Sequence, residues 1–391
     1  MLDNATREFI AQHRDDDVRM LALQAKRYPA VDIHEAVGQI EGWQAAKTKL
    51  PAWAATEGIV YPPKISMEQC SSEQTARYKA SIVAGKRFAD LTGGFGIDFS
   101  YISRGFNEAV YIERNERLCS IARENFALLG LHHARVLNGN SEELLGTLEA
   151  MDWIFVDPAR RDGDGRKVVA LSDCEPNVVV LEELLLQKSG KVMVKCSPML
   201  DITEACRQLK HVQEVYIVAV NNECKELLFI LGGGMAAGCP VHCVNLLKDG
   251  CQEFTFTATD EIASVVSLCT AVGKYLYEPN VAVQKSGCSG VLCRDYAVRK
   301  LHPNSQLYTS DECVPSFPGR IFEVVDVTGF SKADIKKVQA LQKANITVRN
   351  FPESVQQLRK RLKLSDGGDS YIFATTLAGG EKVLVLCKKG V

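Results

Sequence analysis

The segment Asp90-Leu91-Thr92-Gly93-Gly94-Phe95-Gly96-Ile97-Asp98 lies between an apolar strand pattern and a helical one. Glycine has no Cβ and tolerates positive φ, so such a turn lets the backbone approach a ligand closely. The helix that follows turns free N–H groups and the positive end of its dipole toward that ligand. A second strand pattern, Val110-Tyr111-Ile112-Glu113, ends in an acid. It comes about 20 residues after the turn, the spacing at which a carboxylate meets ribose hydroxyls in nucleotide-binding α/β folds. Turn and acid together call for parallel strands side by side with a nucleotide-type cofactor over their ends.

Two cofactor classes share these features, and the glycine pattern separates them. A dinucleotide fingerprint needs G-x-G-x-x-G/A. Here Gly94-Phe95-Gly96 is followed by Ile97, Asp98 and Phe99, so the third small residue is missing. The run resembles motif I of class I S-adenosylmethionine-dependent methyltransferases, D/E-x-G-x-G-x-G. Asp90, Gly94 and Gly96 are in register, and Thr92 replaces the first glycine. The resemblance implies cofactor contacts from Asp90, Thr92, Gly93, Gly94, Gly96, Asp98 and Glu113. A strand–helix turn with no ligand is the plainer alternative, and the acid downstream argues against it.

The apolar run Met151–Val156 is a buried-strand pattern ending in Asp157-Pro158-Ala159-Arg160-Arg161. Ligands of open α/β sheets bind beyond the carboxyl ends of the strands, so Asp157 is expected in the same crevice as Asp90 and Glu113. In the resembled family a D-P element here lies beside the transferred methyl. By that resemblance Asp157 lines the cofactor site and accepts a proton or hydrogen bond from a nucleophilic amine. Pro158 stiffens the loop, and Arg160 and Arg161 are expected to serve as phosphate ligands. The competing reading is an ordinary strand-ending turn. The motif is not N-P-P-Y, so the target atom stays open. Cys196 ends the next strand, where some cytosine-C5 methyltransferases carry a nucleophilic cysteine. With no general base beside it, it reads as a packing residue.

The 391 residues suggest two to three domains, and 46% hydrophobic with 24% charged residues supplies an ample core. No stretch approaches the roughly 18 apolar residues of a membrane span. The first residues do not form a signal-peptide pattern. The 14 cysteines contain no C-x-x-C and the seven histidines no H-x-x-x-H. A cytoplasmic protein with reduced thiols and no metal is therefore expected. The net charge of −2 hides an asymmetry: residues 281–391 carry 17 basic against 10 acidic residues, leaving 29 against 38 elsewhere. A positive module is the footprint of a polyanion partner, or simply an unevenly charged surface.

Residues 1–60 read as helices, with Pro29 and Pro51 as breaks. Ser71 and Gln74 form a capping-box pattern before a helix over Glu73–Ile82. Strand and helix then alternate to about residue 231, which predicts a parallel sheet with right-handed crossovers. Asn140 follows the third strand, where a polar side chain meets adenine. The last two strands are linked only by Asn221–Lys225 and must run antiparallel. A hairpin over 241–258 extends the set. Gly287–Phe322 reads as an irregular connector. A β-α-β-α-β-β pattern closes the chain, with Val355, Leu358 and Leu362 on one face of its second helix and Arg359, Lys360, Arg361 and Lys363 elsewhere.

This order of features is similar to a bacterial family of class I methyltransferases with a C-terminal THUMP-like domain. The residues that carry the likeness are Ser66–Glu73, Asp90–Asp98, Asp157–Arg161, Ser197–Asp201, Asn222–Leu227, Arg359–Lys363 and Asp366–Asp369. The resemblance implies an α/β fold: a Rossmann-like class I methyltransferase sheet, parallel with one antiparallel strand, between an N-terminal helical segment and a small α+β C-terminal domain. The expected boundaries are 1–60, 61–280, a connector module over 281–322, and 323–391. It also implies S-adenosyl-L-methionine as cofactor and an RNA partner, tRNA or rRNA, held by Arg160, Arg161, Arg359, Lys360, Arg361 and Lys363. Asp157 and Pro158 would frame the target. Methylation of a small molecule or protein, or a non-catalytic RNA-binding protein with a relict cofactor site, are the alternatives. The modified base and the oligomeric state are not specified.

Overall fold

The computed structural model describes residues 3–160, 170–234 and 238–390. The chain divides into two compact units, residues 1–213 with 227–235, and residues 214–226 with 236–391.

The first unit opens with helices α1 (Asn4–His13), α2 (Val18–Leu23), α3 (Ile33–Lys49), α4 (Pro51–Ala54), α5 (Lys64–Gln69) and α6 (Glu73–Ile82). Asp3, Asp17 and Asp32 cap the first three long segments by accepting backbone N–H groups. Pro51 does not simply end a helix: it starts α4, where its missing N–H costs nothing. The cap of α6 is Ser72, which accepts the Thr75 N–H, rather than Ser71. The Ser71 hydroxyl donates instead to the Asp98 carboxylate at 2.7 Å.

The alternating part supplies β1 (Arg87–Asp90), α7 (Ile97–Ile102), β2 (Glu108–Glu113), α8 (Glu116–Leu128), β3 (Ala134–Asn138), α9 (Ser141–Leu145), β4 (Met151–Val156), α10 (Val178–Lys188), β5 (Ser189–Cys196) and α11 (Ile202–Gln208). β6 (Val212–Val220) and β7 (Glu223–Gly232) follow. The strand order within the unit is β7-β5-β4-β1-β2-β3. β1 pairs in parallel with β2 and β4, β2 with β3, and β4 with β5, while β7 runs antiparallel to β5. The link between β6 and β7 is shorter than the sequence suggests. Only Asn221 and Asn222 intervene, at φ 48° and 62°, the left-handed pair that a two-residue hairpin turn requires. Phe88, Ile112, Ile154, Val192 and Leu231 are buried, as strands covered on both faces demand. Trp53, Met67 and Ala76 from the N-terminal helices and Tyr61 from the segment between α4 and α5 pack on Phe95 and Ile97, so this region forms one core with the glycine turn.

In the second unit, β8 (Pro240–Leu247) pairs with β6 in parallel and with β9 (Gly250–Thr257) as a hairpin. After α12 (Ala258–Ala263) come β10 (Tyr275–Pro279), α13 (Val281–Ser286), α14 (Gly290–Asp295), β11 (Arg299–Lys300), β12 (Tyr308–Ser310), β13 (Gly319–Thr328), α15 (Lys332–Gln339), β14 (Asn345–Arg349), α16 (Val355–Leu362), β15 (Ser370–Thr376) and β16 (Lys382–Lys389). β10 to β16 form one seven-stranded sheet in the order β11-β12-β10-β13-β16-β15-β14. The stretch 281–322, irregular by sequence, thus contributes two helices and short strands to that sheet. Leu358 and Leu362 of α16 are fully buried against Val338, Ile372 and Leu384.

Candidate active site

The carboxyl ends of β1, β2, β4 and β5 meet at a cavity of about 290 Å³ lined by residues 90–98, Glu113, Asn140, Asp157 and Lys195, among others. The glycine turn forms its floor. A Cβ on Gly93 would sit 2.2 Å from the Tyr111 ring, and one on Gly96 would sit 2.8 Å from Phe126. Gly94 and Gly96 are left-handed, at φ 56° and 84°. The Tyr111 hydroxyl donates to the Gly94 carbonyl at 2.5 Å. Only glycine fits this path.

Asp90 is 1% exposed, and its carboxylate accepts the Thr92 N–H at 2.9 Å. Burial pushes its carboxyl well above the usual range, against the pull of the Thr92 N–H, with Asp98 and Asp157 adding to the rise. Asp90 therefore shapes the turn from below. Thr92, the departure from the glycine motif, has a definite place: its hydroxyl accepts the Asp157 N–H at 2.7 Å. One side chain thus ties the glycine turn to the loop after β4. Glu113 ends β2 with both oxygens toward backbone donors, the Gly94 N–H at 2.9 Å and the Asn115 N–H at 2.8 Å. Asn140 caps α9 through the Glu142 N–H and is exposed at the cavity rim.

Beneath the turn lies a charged cluster that the sequence reading did not find. Lys79, fully buried on α6, sits 3.1 Å from one Asp98 oxygen. Lys195, at the end of β5, reaches the other Asp98 oxygen at 3.5 Å and Asp157 Oδ2 at 2.5 Å. Burial alone would raise the Asp98 carboxyl, but Lys79, Lys195 and the Ser71 hydroxyl hold it below the ordinary value. Asp98 lines the cavity, as expected of a cofactor-site residue, and is also paired with two ammonium groups. Asp157 remains well exposed to the cavity, at 39% of its side chain. Cys196 is 8% exposed, and burial and the Asp157 charge push its thiol far up.

Pro158 is half-buried beside Asp157, and Ala159–Arg160 pairs with Cys174–Glu175 in a short antiparallel ladder. Arg161 lies outside the described residues. In the second unit, Arg359 pairs with Asp366 and Arg361 with Glu353, each at 2.5 Å. Lys360 and Lys363 are exposed. Among the described residues no group of three or more His, Cys, Asp or Glu side chains is placed to hold a metal, and no helix is long and apolar enough to cross a membrane.

Three family models match the chain: conserved hypothetical protein 95 over residues 73–220, a ferredoxin-like domain over 275–318, and a THUMP domain-like module over 319–389. The crystal structure of a proposed methyltransferase from Porphyromonas gingivalis W83 matches over all of both chains, at 34% identity and a TM-score of 0.90. The chain belongs to the class I S-adenosylmethionine-dependent methyltransferase family with a C-terminal THUMP-like domain. A protein of Methanosarcina acetivorans named a probable cobalt-precorrin-6B C(15)-methyltransferase (decarboxylating) is 28% identical over 152 residues, 37% of this chain and 74% of that protein. In this THUMP-like methyltransferase the glycine turn, Glu113 and Asp157 meet at one cavity.

Proposed function

We propose that this THUMP-like methyltransferase transfers a methyl group from S-adenosylmethionine to a base of tRNA or rRNA. The observation that carries methyl transfer is the convergence of the Gly93–Gly96 turn, Glu113 and Asp157 on one cavity. The residues fit the cofactor. The turn is closed to any Cβ at Gly93 and Gly96 and so approaches a ligand at backbone distance. Glu113 ends β2 with lone pairs for ribose hydroxyls beyond those given to Gly94 and Asn115. Asn140, at the rim, offers an amide to the adenine edge.

When bound, S-adenosylmethionine supplies an electrophilic methyl. Asp157, fixed through its own N–H by Thr92, orients the acceptor by hydrogen bonding and takes its proton. Pro158 limits the loop's movement. Proximity and in-line geometry do most of the work, with reacting atoms near 3 Å. For the RNA partner the support is the THUMP domain-like module over 319–389 together with the basic balance of residues 281–391. Lys360 and Lys363, with Arg160 and Arg161 of the motif after β4, are the candidate phosphate contacts.

A small-molecule acceptor is the second reading, favoured by the likeness to the corrinoid-named methyltransferase. The test is transfer of labelled methyl to bulk RNA from cells lacking this gene and from their parent, with Asp157→Ala protein as control. Label entering only the deletion-strain RNA supports RNA methylation. No label in either RNA, with cofactor binding shown by calorimetry, moves the assignment to the small molecule.

A further inference from the structure

We infer that Lys195 is a positioning residue that fixes one oxygen of Asp157 and leaves the other to take the acceptor's proton, so that the methylated atom is a nitrogen or oxygen carrying hydrogen rather than a ring carbon. This rests on the methyl-transfer reading and specifies the chemistry of its substrate.

Asp157 is held at two points. Its N–H is given to the Thr92 hydroxyl, and Oδ2 is 2.5 Å from the Lys195 ammonium. Among the described residues no hydrogen bond takes Oδ1, and the side chain is open to the cavity. Lys195 is itself clamped from behind. Asp98 lies 3.5 Å from it, and Asp98 is anchored by Lys79 at 3.1 Å and by the Ser71 hydroxyl at 2.7 Å. The row Lys79, Asp98, Lys195, Asp157 alternates in charge from the buried end to the cavity. Each ion of the row has an opposite charge beside it, as charges out of water require. A carboxylate fixed this way presents one directed acceptor to whatever lies over the methyl donor.

Methylating a ring carbon makes a different demand. The carbon must first be made nucleophilic by covalent addition, which needs a thiolate. Cys196 and Cys70 are unsuited to that task. Cys196 is buried with its thiol driven far up, first by burial and then by Asp157. Cys70 lines the cavity, but burial raises its thiol too, and its sulfur donates to the Met67 carbonyl at 3.3 Å. A heteroatom acceptor needs no such help. Its lone pair forms the bond to the methyl carbon, the carbon–sulfur bond breaks with its electrons on sulfur, and the acceptor's proton leaves to Oδ1 of Asp157. From there solvent can take it.

The full-length enzyme, RNA from the deletion strain and labelled S-adenosylmethionine give the test. Lys195→Met keeps the Lys79–Asp98 pair and removes the clamp on Asp157 together with the 3.5 Å contact to Asp98. The expected result is a kcat loss of about 100-fold, the scale of a misplaced catalytic group, with KM for RNA and calorimetric cofactor affinity within a few-fold. Lys195→Arg keeps the charge and is expected to recover part of that loss, since a guanidinium seats differently on the same carboxylate. Mass spectrometry of the wild-type product is expected to place the methyl on nitrogen or oxygen. Wild-type kcat in Lys195→Met, no recovery by Lys195→Arg, or a methyl on a ring carbon would overturn the inference. Wild-type enzyme that binds cofactor yet labels no RNA refutes instead the RNA reading on which it rests.

Discussion

The Glu113 carboxylate accepts the Gly94 N–H at 2.9 Å, joining the tip of the glycine turn to the end of the second core strand. The same carboxylate accepts Asn115 N–H, so it organises the loop before any ligand arrives. Removing it leaves the turn free to drift and takes away the proposed ribose acceptor. Hydrogen bonds to a charged group are worth about 1.5–3 kcal/mol. Glu113→Ala is therefore expected to weaken S-adenosylmethionine binding by about 10- to 100-fold, at 1.4 kcal/mol per decade. Isothermal calorimetry reads this directly, and an unchanged dissociation constant would remove Glu113 from the cofactor site.

Gly93 and Gly105 make a controlled pair. A Cβ at Gly93 collides with the buried Tyr111 ring at 2.2 Å, and Tyr111 in turn holds the Gly94 carbonyl. At Gly105 a Cβ meets nothing within 4 Å. Gly93→Ala is expected to lose about 1–3 kcal/mol of stability, the usual cost of overpacking, together with cofactor binding. Gly105→Ala should stay near wild type on both counts. Urea melts and calorimetry on the two proteins decide it. Equal behaviour would mean that the turn is not sterically restricted.

Much of this was legible because buried parallel strands are written as unbroken apolar runs, as in Trp153–Val156 or Val192–Val194. The glycine turn, Glu113 and Asp157 were legible for a related reason: chemistry at strand ends leaves acids and glycines where apolar periodicity stops. The charged cluster was not. Lys79 sits in a helix rich in polar residues, where a lysine reads as a solvated surface residue, and only the fold shows it fully buried against Asp98. Asp98 was read only as part of the cofactor motif, since sequence cannot show that a side chain in the first helical turn also meets two lysines. β11 and β12, two and three residues long, are too short to display any period. They take part in the sheet through tertiary pairing alone.

Asp90 and Asp98 have carboxyls shifted in opposite directions, and stability should follow each with its own sign. The Asp90 value is raised by burial, so its contribution is full below the ordinary 3.8 and is lost as pH rises through the raised value. Asp90→Asn keeps an oxygen for the Thr92 N–H and removes that loss. Its melting temperature should exceed wild type at about pH 8 and match it in acid. Asp98 is held down by its lysines against the opposing effect of burial. Its contribution is present above 3.8 and lost as pH falls through the depressed value. Asp98→Asn should destabilise by about 3–5 kcal/mol at neutral pH, the cost of breaking a buried pair, and the gap should close in acid. Melts across the pH range that show parallel curves for all three proteins would contradict both assignments.

The basic residues of α16 divide into two kinds, and RNA binding should tell them apart. Arg359 spans Asp366 and the Ala344 carbonyl, while Arg361 pairs with Glu353 and lies over the Phe330 ring at 4.8 Å. Their charges are already answered locally, and drawing them to a phosphate would break those contacts. Lys360 and Lys363 are exposed on the same helix end, with Lys363 in the left-handed region at φ 52°. A lysine that neutralises one phosphate adds about 0.7–0.9 to the slope of log affinity against log salt. Lys360→Gln and Lys363→Asn, the latter because asparagine tolerates left-handed backbone, should each lower that slope by about this amount. Arg361→Gln should leave the slope nearly unchanged while loosening the packing on Phe330. Filter binding of RNA across a salt series measures all three. If the arginine variant flattens the slope and the lysine variants do not, the phosphate contacts lie with the paired residues, and the exposed lysines are only a solvated helix end.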